Sequence, residues 1–451
     1  MNPEKLTWWQ RNQSKLGPWL LLILALIPFA AWLRFIFATS QESATLYFAF
    51  SVAAKLCSLT GMTLFALSFV LSTRWRFLED WFGGLNRVYI WHHIVGGSSL
   101  VLILFHPIFL ALRASLTSWN KAASLLLPHF TGSLLGFRWV VTYGIFALLL
   151  MIGLLFITFF VRLPYKWWLF THKFMGVAFV LAGLHVLFIP SVFGHDPFVQ
   201  NYLRAVIALG LISYVYYTLA GRILIRRYRY KVDEVGTPAE KVVQVHLAPL
   251  SRAMSFTAGQ FAFIRFHQHG IATEWHPFSI SSPPGADGDF RLTVKALGDF
   301  TTQLQGIKKG ATAEVEGAFG KFSYTNYGNP NQIWVAGGIG VTPFLAMANS
   351  LPDVPHHIDF FYCVTDPAEL IDMEEVKKAV NTDKHQFAAT SHVAKEKGNI
   401  TAEIIAKQCG GLDGKDIFLC GPPPMMKALR VQFKAAGVST DRIHSEEFAM
   451  V

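Results

Sequence analysis

Six apolar runs, each long enough to cross a bilayer, fill the first half of this chain and leave little freedom in what it can fold into. They lie at roughly Pro18–Ala38, Leu46–Leu71, Leu85–Leu112, Phe137–Val161, Leu169–Ile189 and Tyr202–Ile225. In hydrocarbon every backbone N–H and C=O must find its partner within the protein, so these runs predict a six-helix transmembrane bundle. After Ile225 the apolar runs shorten, Gly and Pro punctuate them, and the pattern becomes that of a soluble protein. The expected organisation is a membrane domain over 1–226, a β-domain over 227–328 and an α/β domain over 329–451.

The 451-residue chain carries a formal net charge of +10. That balance raises nucleic acid as a partner, but the placement of the charges argues against it. Lys5, Arg11 and Lys15 precede the first run, Arg74, Arg76 and Arg87 separate the second from the third, and Arg162 and Lys166 separate the fourth from the fifth. Arg222, Arg226, Arg227 and Arg229 follow the sixth, whereas the alternate connections hold only Arg113 and Lys121. This asymmetry predicts an integral protein of a plasma (inner) membrane, surrounded by lipid, with both termini cytoplasmic. No cleavable signal pattern opens the chain. Cys57, Cys363, Cys409 and Cys420 lack metal-ligand spacing and suggest no disulfide framework.

Two of the runs each hold two histidines. His92 and His106 lie fourteen residues apart in the third, and His172 and His185 thirteen apart in the fifth. Each pair is separated by about 20 Å of helix, most of a hydrocarbon core. Two such helices side by side can grip one haem near each membrane face, because imidazole is a suitable axial ligand for haem iron. With both runs pointing outward, His92 and His172 form an inner set and His106 and His185 an outer one. Gly96 and Gly176 each follow a histidine by four residues and are expected to give a macrocycle room. That repeated spacing favours His92 over its neighbour His93. A fourteen-residue step returns to nearly the same helix face; a thirteen-residue step does not, so the fifth helix must be tilted, irregular or matched to a rotated outer haem. Lys55 and Arg34 are charges within spans, with haem propionates as natural partners, and Arg87 has the same option on the inner side. Snorkelling to the interface is the competing explanation.

In the soluble half, short alternating strands at Tyr230–Val235, Val242–Ala248, Gln260–His267, Phe290–Ala296 and Ala313–Glu316 predict a small antiparallel β-barrel, with a short helix at Phe300–Ile307. From Gln332 onward, strand, Gly-rich turn and helix alternate, which predicts a parallel α/β sheet. Its first turn, Gly337-Gly338-Ile339-Gly340-Val341-Thr342-Pro343, can hold a pyrophosphate on backbone N–H groups at a helix start. Cys420-Gly421-Pro422 follows a later buried strand, at the sheet edge where ligands sit. His276-Pro277-Phe278-Ser279 offers an aromatic ring beside a hydroxyl, as a flavin needs, although a plain strand would read the same way.

These motifs in this order resemble the NADPH oxidase/ferric reductase superfamily over roughly Pro18 to Phe448: a ferric-reductase-type six-helix domain followed by a ferredoxin–NADP-reductase-like half. The resemblance implies two b-type haems on His92, His106, His172 and His185. It implies FAD in the barrel, with Phe278 against the isoalloxazine and Ser279 near its reactive nitrogen. His276 takes the motif's first position, where many relatives have arginine and the oxidases histidine. Gly298-Asp299-Phe300-Thr301-Thr302 resembles the segment that caps the FAD pyrophosphate. Gly337, Gly338, Gly340, Thr342 and Pro343 match the nicotinamide-dinucleotide turn, and Cys420, Gly421 and Pro422 the stretch near the nicotinamide. Glu446 and Phe448 match the C-terminal segment whose aromatic covers the flavin, although Ala449-Met450-Val451 follow here. The strand end Tyr362-Cys363-Val364-Thr365-Asp366 lacks the arginine fork suited to a 2′-phosphate, which leaves NADPH or NADH open.

The implied function is electron transfer from cytosolic NAD(P)H through FAD and two haems to an outer acceptor, dioxygen first and a ferric chelate second. A channel or transporter with a nucleotide-sensing domain, or a haem-bearing redox sensor without turnover, is the rival class. No calcium-binding loop precedes the membrane half, so constitutive activity without an obligate protein partner is the expectation.

Overall fold

The computed structural model describes residues 13–39, 45–190, 196–371, 380 and 384–446. The chain separates at Ile225–Arg226 into two compact units, one holding the membrane helices and the other the soluble domains.

In the first unit, six helical stretches are long and apolar enough to cross a membrane. Its longer helices are α1 (Leu16–Thr39), α2 (Leu46–Leu71), α3 (Leu85–Ser115), α4 (Phe137–Phe160), α5 (Tyr165–Lys173), α6 (Met175–Phe188) and α7 (Pro197–Tyr214). Thr45 caps α2 by accepting from Phe48 N. The second half of α2 is buried almost continuously, which makes it the central helix, against α1 and α7. α4 packs along α6 and turns Phe156, Phe159 and Phe160 outward, as lipid-facing side chains require.

Two expected spans are corrected. The fifth is not one helix: α5 ends at Lys173 and α6 begins at Met175, with Phe174 as a turn between them. That break accommodates the thirteen-residue step. The sixth starts at Pro197 rather than Tyr202. Asp196 accepts from Phe198 N at 2.8 Å and Pro197 occupies the first turn, a strong start signal that a hydropathy window does not see. Its far end turns into a π-helical stretch at Val215–Leu219.

In the second unit, β1 (Tyr228–Ala239), β2 (Val242–Pro249), β3 (Phe261–His267), β4 (His276–Ser279), β5 (Phe290–Lys295) and β6 (Thr312–Phe319) form an antiparallel sheet in the order β4-β3-β6-β1-β2-β5. It is not the closed barrel expected. Its two edges are joined just beyond β4 by the bridge Ile280↔Leu292 and by Ser281 N donating to Arg291 O at 2.8 Å. β4 is short, and Pro283-Pro284 beyond it cannot donate to a ladder. The helix expected at Phe300–Ile307 is α8 (Asp299–Gln303), tightening into a 3₁₀ turn at Leu304–Gly306.

β7 (Asn331–Gly337), β8 (His357–Val364), β9 (Gln386–Val393), β10 (Asp416–Cys420) and β11 (Ile443–Glu446) form a parallel sheet in the order β11-β10-β7-β8-β9. Trp334, Phe344, Phe360 and Phe418 fill its core. The chain winds outward from β7 in one direction and from β10 in the other, so the topological switch point lies between them.

Candidate electron-transfer site

Four histidines from α3, α5 and α6 come together in two pairs. The His92 and His172 rings are 6.3 Å apart between centres, and the His106 and His185 rings 6.5 Å. His93 is not in either pair; it stands beside His92 at 5.8 Å. Three of the four are held alike: Nδ1 of His92, His106 and His185 lies 2.8 Å from the carbonyl oxygens of Ser68, Ala54 and Val140 respectively. A carbonyl can only accept, so each Nδ1 carries the proton and each Nε2 is left as a basic lone pair. Such an anchor on the far ring nitrogen orients a metal-binding imidazole. His172 differs. Its Nδ1 is buried without a hydrogen-bond partner among the described residues, and its ring stacks on Trp168 at 5.4 Å.

The two glycines expected to give a macrocycle room differ from each other. A side chain at Gly96 would meet nothing within 4 Å, which fits room for a bulky group. At Gly176 a Cβ would lie 2.1 Å from the Tyr214 ring, so Tyr214 fills the space expected for a macrocycle. Gly144, which spacing does not single out, is needed by the outer pair: a Cβ there would meet His185 Nδ1 at 2.7 Å. The available signal is a glycine one helical turn after Val140, the residue that anchors His185. Lys55 follows Ala54, the anchor of His106, and is half-buried, whereas Arg34 is exposed.

In the soluble unit, β4 carries His276, Pro277 and Phe278 half-buried and Ser279 buried. The His276 ring stacks on Phe300 at 3.8 Å between centres, and Phe278 lies 6.3 Å from the same ring, so the two flavin motifs are joined through Phe300. Burial holds the His276 imidazole below its usual range, against the opposing pull of Glu274 at 3.4 Å. Thr301 closes its own turn, accepting from Gly298 N at 3.0 Å, while Gly298 and Thr302 are exposed. Ser281 and Ser282 are absorbed by contacts to Thr293 and Arg291 N. Trp275, not foreseen, has the guanidinium groups of Arg227 and Arg265 at 5.1 and 4.8 Å from its ring centre.

The Gly-rich turn after β7 and the Cys-Gly-Pro turn after β10 are pressed together. A Cβ on Gly337 would meet Pro422 and Met425 within 2.7 Å, and one on Gly340 would meet Cys420 O at 2.4 Å. Gly338 takes φ +53° in open space. A 3₁₀ turn, Gly338–Val341, leads into α9 (Thr342–Ala348), where Thr342 donates to Ile339 O and Pro343 is buried. Cys420 pairs in register with Glu446, and burial, then the Glu446 charge, keep its thiol well above the usual range. Glu446 Oε2 would lie 3.3 Å from a Cβ on Gly320, at the end of β6, so the β11 end meets the flavin-side domain there. Lys295 on β5 pairs with Glu369 at 2.9 Å across the same two domains. Phe448 lies outside the described residues.

Comparison with known proteins matches these parts in order. Residues 57–183 match the family "Ferric reductase like transmembrane component", 227–323 an FAD-binding domain and 334–431 an oxidoreductase NAD-binding domain. Among curated proteins, the propane 2-monooxygenase reductase component of Rhodococcus jostii (strain RHA1) is 25% identical over 248 residues, 51% of this chain and 66% of that protein. The glycine betaine monooxygenase reductase subunit of Chromohalobacter salexigens is 27% identical over 43% of this chain and 56% of its own length. The chain therefore spans under two thirds of these relatives. A solved ferredoxin reductase in carbazole 1,9a-dioxygenase aligns with TM-score 0.43 and 23% identity over 50% of this chain and 70% of its own. Together the three domain matches give this chain the architecture of the NADPH oxidase/ferric reductase superfamily: a ferric-reductase-like membrane domain followed by FAD- and NAD-binding domains.

Proposed function

We propose that this protein carries electrons from cytosolic NADH across the inner membrane to dioxygen, giving superoxide, through FAD and two b-type haems. The carrying observation is the geometry of the histidine pairs. The paired rings stand at 6.3 and 6.5 Å between centres, a spacing at which each pair could hold one haem iron between its imidazoles. In this reading His92 and His172 hold the inner haem and His106 and His185 the outer. When bound, the flavin would turn hydride transfer into single-electron transfer and the haems would relay those electrons.

The residues divide the remaining work. Phe278 and Ser279 present ring and hydroxyl to the flavin, with His276 and the segment Gly298, Phe300, Thr301 and Thr302 shaping its phosphate end. Gly337, Gly338, Gly340, Thr342 and Pro343 form the dinucleotide turn. Cys420, Gly421, Pro422 and Glu446 border the hydride path, and Cys420 stays a neutral thiol there. If His106 and His185 both held the outer haem, the acceptor would take its electron without needing to displace either imidazole. The Lys and Arg asymmetry supports cytoplasmic termini.

NADH is the preferred donor in this reading. Asp366 stands two residues beyond β8, at the sheet edge where an acidic residue accepts from a ribose 2′-hydroxyl. Hydrogen bonds from Lys395 and Ala368 N hold its carboxyl below the usual range, so it is charged at neutral pH. Asp366→Asn keeps the turn and removes the charge. The expected NADPH-to-NADH ratio of kcat/KM rises about tenfold; an unmoved ratio places Asp366 away from the ribose.

A second acceptor has one observation in its favour. Lys55 beside the Ala54 anchor, with Arg113 two turns beyond His106, puts positive charge on the outer side, which suits an anionic ferric chelate. Purified protein should hold two b-type haems and one FAD per chain. In the same membranes, NADH-driven dye reduction should be suppressed by superoxide dismutase. Ferrous capture without dismutase sensitivity selects the chelate, and colourless protein removes the whole reading.

A further inference from the structure

We infer that Tyr214 is a positioning residue for the inner histidine pair, wedged between the backbone supports of His92 and His172; this rests on the haem reading above. The inner pair is unevenly held. His92 has the Ser68 carbonyl, but His172 has no such anchor among the described residues and stacks only on Trp168, one turn earlier on α5. Stacking limits the tilt of a ring and leaves its sliding free.

The backbone at His172 also needs support. It lies in the last turn of α5, where carbonyls run out of helical donors. Val177 N, the regular partner of the Lys173 carbonyl, donates to Phe174 O instead, at 2.9 Å. Tyr214 replaces it: its hydroxyl donates to Lys173 O at 3.1 Å. The ring seats against Gly176, where a Cβ would overlap its Cζ at 2.1 Å. On its other side the ring meets Phe69 edge-on, 5.6 Å between centres and 84° between planes. Phe69 is the residue after Ser68, the anchor of His92. One side chain therefore braces the break beside His172 and the turn that holds His92. It is aimed there from the last residue of α7, just before the π-helical stretch Val215–Leu219, where a wider turn redirects side chains. The outer pair has no need of such a brace, since His106 and His185 each hold a carbonyl.

Haem release separates this from a general packing role. The test uses the full-length protein, with extraction of haem by apomyoglobin and low-spin electron paramagnetic resonance, and His92→Leu assigns the inner signal. Tyr214→Leu should lower inner haem retention by about 10–100-fold, the usual cost of losing a ligand's support, and shift its signal while the outer signal stays. Tyr214→Phe keeps the ring in its seat, loses only the hydroxyl, and should fall between. If Tyr214→Leu does not accumulate, Tyr214→Phe decides alone: an unchanged inner signal and release rate overturns the inference. Equal changes at both haems overturn it too, by making Tyr214 a global packing residue. A parent protein without two haems fails one stage earlier and removes the underlying reading.

Discussion

His92→Leu is expected to give a folded protein that still reduces its flavin with NADH, holds one haem in place of two, and passes almost nothing outward. Leucine is apolar and close enough in size to keep α2 and α3 packed. What it removes is the Nδ1–H donated to Ser68 O, a hydrogen bond worth about 1 kcal/mol, and the facing Nε2. Loss of an outer-shell partner costs a metal site about 10–100-fold, so loss of the ligand should cut acceptor reduction by at least ~100-fold. His106→Leu provides the counterpart: the inner haem remains and is reduced by NADH, while the outer band disappears. Haem content, reduced-band spectra and NADH-driven flavin bleaching read the three stages separately. Two intact haems in His92→Leu would show that the inner ligands lie elsewhere, with His93 the first candidate.

The juxtaposition of these four side chains is legible in the sequence because helical rise converts residue spacing into membrane depth. Four histidines at two matched depths leave few other arrangements. The expected limits of the second and fourth spans also agree closely with α2 and α4, since an apolar run bounded by polar residues has few other readings in lipid. Carbonyl anchors are different. Ser68, Ala54 and Val140 act through main-chain oxygen, which any residue supplies, so no side chain marks them. The break at Phe174 leaves only a faint trace, the odd thirteen-residue step. Gly176 misleads because glycine signals a close approach without naming what approaches; here it is Tyr214, thirty-eight residues later in the chain. In the soluble half the same ambiguity surrounds the Gly-rich turn. Its glycines read as a phosphate cradle, yet Gly337 and Gly340 are required first by the neighbouring β10 turn. The open sheet escaped notice because closure depends on how β4 and β5 meet, a contact with no local pattern.

That double duty makes Gly340→Ala the second large effect. The added methyl would stand 2.4 Å from Cys420 O, 2.6 Å from its carbonyl carbon and 2.7 Å from Gly421 N. All three are backbone atoms at the end of a buried strand, so no rotamer change relieves the overlap. Either the dinucleotide turn or the Cys-Gly-Pro turn must retreat, at a cost of about 1–3 kcal/mol in stability. Both turns border the expected hydride path, and a 1 Å displacement of reacting groups can cost about 100-fold. NADH-driven flavin reduction should fall by that order. FAD content and dithionite-reduced haem bands should be unchanged, because the flavin-side sheet and the membrane helices do not contain the clash. Gly338→Ala is the calibrating variant: its site is open, and alanine there bears only the left-handed backbone penalty of about 1–2 kcal/mol. It should therefore lose less activity than Gly340→Ala. Equal rates in the two variants would mean that backbone conformation, and not the apposition of the two turns, governs hydride delivery.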